Sequence, residues 1–146
     1  LNKSSTYKVD KQGEYIPLTI ENPSKKQIQV LIEAWLAGKA EILSGGESSI
    51  LDQVARNYLV KIVKDQRIKD MKKGEKQVIF ANIESLQVKS QTNKRIEADV
   101  EFLYKDQRIK ESGEVISETN IPTLKVKYIL GRKKQQWKLV NFSSQS

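Results

Sequence analysis

Apolar residues in this chain recur at intervals of three and four between Ile28 and Val63, and at intervals of about two from Val78 onward. The first spacing lays a stripe along a helix and the second lays one face along a strand. Helical periodicity first and alternation second predicts an α+β domain, with N-terminal helices packed on a curved antiparallel sheet built from the C-terminal half. A chain of 146 residues is sized for one such domain and can bury about two-thirds of its unfolded surface without disulfides or metals.

Residues 1–22 have no sustained period and contain Gly13 and Pro17, so they read as a lead-in segment with room for a short strand around Tyr15 to Ile20. The domain proper is expected over residues 23–146. In "NPSKKQ", Ser24 and Gln27 have the spacing of a capping box, which predicts a helix from about Lys25. Its stripe is Ile28, Leu31, Ile32, Trp35, Leu36, Ile42 and Leu43, interrupted by Lys39. "SGGESS" then supplies glycines for a helix stop and Ser48 or Ser49 as a second N-cap. The second helix carries Ile50, Leu51, Val54, Ala55, Tyr58, Leu59, Ile62 and Val63 as one predicted face.

Beyond "DMKKGEK" the alternation Val78, Phe80, then Ile83, then Leu86 and Val88 slips in phase, which predicts a bulged strand. "RIEADVEFLY" alternates cleanly, with Ile96, Ala98, Val100, Phe102 and Tyr104 opposite Glu97, Asp99 and Glu101. A third strand runs through Leu124, Val126, Tyr128 and Leu130. A polar turn follows at Gly131 to Gln135. The last strand places Trp137, Leu139 and Asn141 on one face and Lys138, Val140 and Phe142 on the other. Trp137 is expected to anchor this closing hairpin against Trp35, Leu36 and the second helix. The hexapeptide "KDQRIK" occurs at 64–69 and again at 105–110, once after a helical stripe and once after a strand. The differing contexts argue against an internal repeat.

Composition narrows the chemistry. The chain has no Cys and no His, which removes disulfides, thiolate nucleophiles, most hydrolytic triads and most transition-metal sites. No metal and no cofactor are expected. It starts at Leu1 and shows neither a leader nor about 18 consecutive apolar residues, so a piece of a longer protein without its own signal peptide or span is expected. The formal net charge of +8 suits an anionic partner. Lys125, Lys127, Arg132, Lys133, Lys134 and Lys138 form one acid-free basic run, and Lys61 to Lys76 holds seven cations against three acids. In the first run the cations alternate with core-phase residues, as on the solvent face of a hairpin. Tyr128 and Trp137 share phase with Leu130 and Leu139, which argues against a base-stacking nucleic-acid surface. The row Glu97, Asp99 and Glu101 is placed for cross-strand pairing. Trp35, Tyr58, Phe80, Phe102, Tyr104 and Tyr128 are candidates to line a partner-binding groove between helices and sheet, with core packing as the competing role. A cavity enzyme would need a buried carboxylate; Glu84 and Glu33 are the candidates by position, though both also fit a polar face.

Helices followed by a long, bulged sheet is the order of the cystatin-like, NTF2-like folds. "LIEAWLAGKAEILSG", "LDQVARNYLV", "ANIESLQVKS" with "RIEADVEFLY", and "LKVKYILGRKKQQWKLVNF" together resemble the C-terminal domain of cyanobacterial ZipN-like cell division proteins, homologues of the plant plastid-division ARC-type proteins. The matching positions are Trp35 with Lys39, Ile83 with Ser85 and Val88, and Tyr128 with Leu130, Trp137, Lys138 and Val140. The resemblance implies a non-catalytic interaction module of a membrane-anchored parent that engages the FtsZ ring, with this domain on the periplasmic side of the inner membrane. Its implied partner is a peptide or protein segment of a division protein, with no small-molecule substrate. The alternatives are a basic domain that binds an anionic polymer or membrane surface, and a small cavity enzyme.

Overall fold

The computed structural model describes residues 15–145. The part of the lead-in before Tyr15 lies outside them. Residues 15–20 form no strand, contrary to expectation, yet they are firmly placed: Tyr15 and Leu18 are buried in the main core. Burial pushes the Tyr15 phenol up to about 12. The segment stays irregular because its carbonyls are taken up one at a time by different donors. Leu18 accepts the Trp137 amide at 2.9 Å, Thr19 the Arg132 guanidinium at 3.0 Å and Ile20 the Trp137 indole at 2.8 Å.

Helix α1 (Lys25–Leu43) starts where the capping box places it. The Gln27 amide donates to Ser24 Oγ at 3.1 Å, and the Ser24 amide donates to Gln27 Oε1 at 2.8 Å. Such a cap is worth about 1 kcal/mol. The helix ends in a Schellman arrangement, with Gly45 at φ 98° and the amides of Gly45 and Gly46 donating to Ile42 and Glu41. Ile28, Leu31, Ile32, Trp35, Ile42 and Leu43 are buried, as the stripe predicts, and Leu36 packs at the edge of the core. Gly38 lies where α2 (Ile50–Val54) crosses: a Cβ there would stand 2.8 Å from Leu51 Cδ2.

The predicted second helix is broken in two. After α2, Ala55 turns extended (φ −141°, ψ 153°) and pairs with Leu139, and the Arg56 amide donates to the Leu139 carbonyl at 3.0 Å. Helix α3 (Asn57–Lys72) then resumes on a new heading. The interruption exists because the last strand would otherwise leave that edge unpaired. It also resets the helical phase. Leu59, Val60 and Val63 turn inward, while Tyr58 and Ile62, assigned to the core from the stripe, are 54% and 59% exposed.

Strands β1 (Glu75–Gln91), β2 (Arg95–Lys110), β3 (Val115–Lys133) and β4 (Gln136–Gln145) form an antiparallel meander in the order β1-β2-β3-β4. The bulge predicted in β1 is present between Ile83 and Ser85. Before it, Ile79, Ala81 and Ile83 face the helices, so Val78 and Phe80 lie on the opposite face and not in the core phase assigned to them. After it, Leu86 and Val88 face inward as predicted. In β2, Ile96, Ala98, Val100 and Phe102 are buried. The acidic row meets lysines across the strand pair, Asp99 opposite Lys127 and Glu101 opposite Lys125.

Strand β3 begins at Val115, well before the predicted alternation, which missed its first part because residues 115–120 are exposed on both faces and their two apolar residues, Val115 and Ile116, are adjacent and do not alternate. The final turn is only Lys134–Gln135, with φ of 51° and 66°, so Gly131 to Lys133 belong to the strand and not to the turn. A register shift at Ile129/Leu130 changes the pairing with β4. Phe142, not Asn141, therefore packs against the core cluster. The two copies of "KDQRIK" lie in α3 and in β2, so the hexapeptide is no structural repeat.

Candidate functional site

Helix α1 does not lie flat over the whole sheet. Between its middle turns and the central strands is a groove of about 170 Å³, lined by Trp35, Leu36, Ile79, Phe102, Tyr104, Leu124, Val126, Tyr128 and Phe142, with Lys39 on its wall. Four of the six aromatics picked from the sequence, Trp35, Phe102, Tyr104 and Tyr128, meet here. Tyr58 does not: it stands on the first turn of α3, and its hydroxyl donates to the Val140 carbonyl. Phe80 does not either, because it faces Val78, Lys105 and Gln107 across the far side of the sheet.

Phe142 was missed because its phase depends on the β3–β4 register shift. Its ring centroid lies 5.8 Å from that of Trp35 and 6.0 Å from that of Tyr128. Lys39 was visible as the interruption in the α1 stripe and, with Trp35, as a position of the family resemblance, but not as a groove residue. Its Nζ stands 5.9 Å from the Trp35 ring and 5.7 Å from the Phe142 ring. Burial holds its ammonium below the ordinary lysine range. The two ring faces offset part of that desolvation, at roughly 0.5–2 kcal/mol for contacts of this kind. Among the described residues no carboxylate pairs with Lys39. Tyr104 donates to Asp106 Oδ2 at 2.5 Å; burial first and then the neighbouring carboxylate raise its pKa, so the phenol stays protonated.

A second cavity, of about 370 Å³, adjoins the first through Trp35, Lys39 and Phe142 and runs along α3 to Arg108. Arg108 is committed elsewhere. Its Nη1 lies 2.8 Å from Oδ1 of Asp70, which has no exposed surface, and 3.2 Å from Glu75 Oε1. Gln66 and Gln77 complete the carboxylate's donors at 2.9 and 3.0 Å. Burial pushes the Asp70 pKa up, but these donors outweigh it and hold the carboxyl below its usual range.

The residues lining the groove include no carboxylate. Of the two candidate carboxylates that also fit a polar face, Glu84 is exposed, and Glu33 is buried, lines neither cavity and accepts from Gln29 Nε2 at 3.2 Å. Among the described residues there is no group of three or more potential metal ligands, and no helix is long and apolar enough to cross a membrane.

The basic run of β3 and β4 is dispersed by its own contacts. Lys127 pairs with Glu97 at 3.7 Å, Lys125 faces Glu101, Arg132 holds the Thr19 carbonyl and Lys138 the Asp52 carbonyl at 2.8 Å. Lys133 and Lys134 remain exposed at the hairpin end.

No curated protein matches the chain. Among solved structures, the intermembrane space region of chloroplast protein ARC6 superimposes with a TM-score of 0.61 at 17% identity, covering 85% of this chain and 98% of that one. At that identity the likeness speaks for the fold: helices packed on an open four-stranded antiparallel sheet. The profile of the ARC6-like IMS domain matches residues 29–140, which runs from α1 through the groove-lining strands to β4. With that profile spanning most of its length, the chain belongs to the ARC6-like IMS domain family.

Proposed function

We propose that this domain is a non-catalytic, division-related interaction module that takes an extended protein segment in the groove beneath α1. The observation that carries the reading is Lys39, an ammonium held over two aromatic rings in an open apolar groove with no carboxylate partner among the described residues. A segment that places an apolar side chain among Phe102, Tyr104 and Tyr128 and a carboxylate at Lys39 satisfies both features. Family membership, the fold likeness to the intermembrane space region of chloroplast protein ARC6 and the resemblance to ARC-type division proteins support a division context and a protein partner. We further infer a place on the extracytoplasmic side of a membrane-anchored parent, the periplasm in a cyanobacterium, a reading supported by the similar ARC6 region being one of the intermembrane space.

Calorimetric titration with synthetic periplasmic tails of division proteins tests the groove. Binding that falls at least tenfold in Phe102→Ala and in Lys39→Met, but not in Tyr58→Ala, is the expected result. Binding indifferent to Phe102 and Lys39 sinks the reading. A protease-accessibility assay on the intact parent in spheroplasts tests the side of the membrane.

A further inference from the structure

The solvent face of α3 brings lysines and exposed apolar side chains together. Lys61, Lys64, Lys69 and Lys72 are all exposed along it, and Ile68 and Met71 stand among them at 50% and 57% exposure. Of the two acids in the helix, Asp70 is buried under Arg108, and Asp65 forms a surface pair with Lys61 at 2.7 Å. Lys64, Lys69 and Lys72 make no ion pair among the described residues. Positions 61, 64, 68, 71 and 72 are spaced by helical turns and share one side of the helix. The basic run of β3 and β4 provides the contrast, since Lys127, Arg132 and Lys138, half of its six cations, are engaged by carboxylates or carbonyls of the fold.

We propose that this face of α3 docks on an anionic lipid surface, with the lysines at the headgroups and Ile68 and Met71 entering the boundary with the acyl chains. Charge complementarity selects the occupant, and the two apolar side chains select lipid over a nucleic acid, which offers no apolar layer to receive them. Each lysine near such a surface contributes roughly a fivefold factor in affinity. The face is separate from the groove: neither Ile68 nor Met71 lines either cavity, so the docking stands or falls independently of segment binding.

Because the chain has no cysteine, Met71→Cys carrying an environment-sensitive fluorophore gives a unique reporter. Phosphatidylcholine vesicles with and without phosphatidylglycerol are the probes, at physiological salt. The expected result is a blue shift with the anionic vesicles only, abolished by Lys64→Glu/Lys72→Glu, whose vesicle affinity falls at least tenfold while its melting temperature holds. Three results overturn the proposal: no shift with anionic vesicles, an equal shift with neutral ones, or vesicle binding that ignores the charge reversal. Duplex DNA at the same salt is the competing macromolecule. Tighter binding to DNA than to anionic vesicles would also overturn it.

Discussion

Both tryptophans are buried, Trp137 with 0% and Trp35 with 2% of its surface exposed, yet their surroundings differ in kind. The polar groups of Trp137 itself are tied to the fold, since its indole and amide both donate to carbonyls of the Leu18–Ile20 segment, although Nε of Arg132, its partner across the hairpin, is buried without a hydrogen bond. Trp35 has no comparable tie among the described residues. The ring lies beside Phe142 and under a desolvated lysine, at a cavity that nothing in the described chain fills. Burial therefore fails to separate scaffold from site here. What separates them is the polar group at the ring: a donor bonded to the fold's own carbonyl at Trp137, an ammonium without a carboxylate among the described residues at Trp35.

The most severe way to test this contrast is to empty each position in turn. Trp137→Ala should cost about 3–5 kcal/mol in urea unfolding, because it leaves a large enclosed cavity and strands the Ile20 carbonyl. Trp35→Ala should fall at or below the low end of that range, since its void merges with a groove already open. If Trp35→Ala proves the costlier of the two, the contrast fails.

Asp70 belongs to the satisfied class, and Arg108→Met should cost about 2–3 kcal/mol, at or below the range for breaking a buried pair because the guanidinium is partly exposed. The sign with pH follows from the lowered carboxyl. Its stabilisation is present above the unfolded value near about 3.9 and is lost as pH falls through the folded one. Urea midpoints measured from neutral pH downward should therefore drop in the wild type below about pH 4, and more shallowly in Arg108→Met.

Lys39 belongs to the unsatisfied class, so removing it should have the opposite sign. Lys39→Met is expected to raise stability on the order of 1 kcal/mol, the desolvation no longer being imposed, while abolishing binding of acidic segments. Its pKa is lowered in the fold, so wild-type stability should rise with pH through the folded value up to the unfolded one near about 10.4; Lys39→Met should lack that rise. The smallest effect expected is at the turn beside Trp137. Lys134 and Gln135 hold positive φ without being glycine or asparagine. Lys134→Asn/Gln135→Gly should gain about 0.5 kcal/mol with segment binding unchanged.

The capping box, the α1 stripe, the meander and the β1 bulge were all legible in the sequence because each is written in neighbouring residues. The break at Ala55 was not, because its cause is the Leu139 carbonyl on a strand far along the chain. Tyr58 and Ile62 were misassigned with it, since one interruption rotates everything after it. "KDQRIK" makes the same point without any change of sequence: it is helical where it follows Val63 and extended where it follows Tyr104. Four groove aromatics could be read from local periodicity, Trp35 from the helical stripe and Phe102, Tyr104 and Tyr128 from alternation. Phe142 could not, because a register shift leaves no local trace, and Lys39 stood out as a gap in an apolar stripe and a position of the resemblance without any sign of its place in the groove.

The pairing of Ile20 with Trp137 spans 117 residues of sequence. On a ribosome that adds about 5–20 residues per second, roughly 6 to 23 s separate the appearance of one partner from that of the other. Through that interval α1 and the first strands exist without the element that seals them, and their apolar faces are open to chaperones and to each other. The domain thus becomes whole only when its last strand is made, and a transcript truncated before Trp137 yields a client for proteolysis and no partial version of the protein.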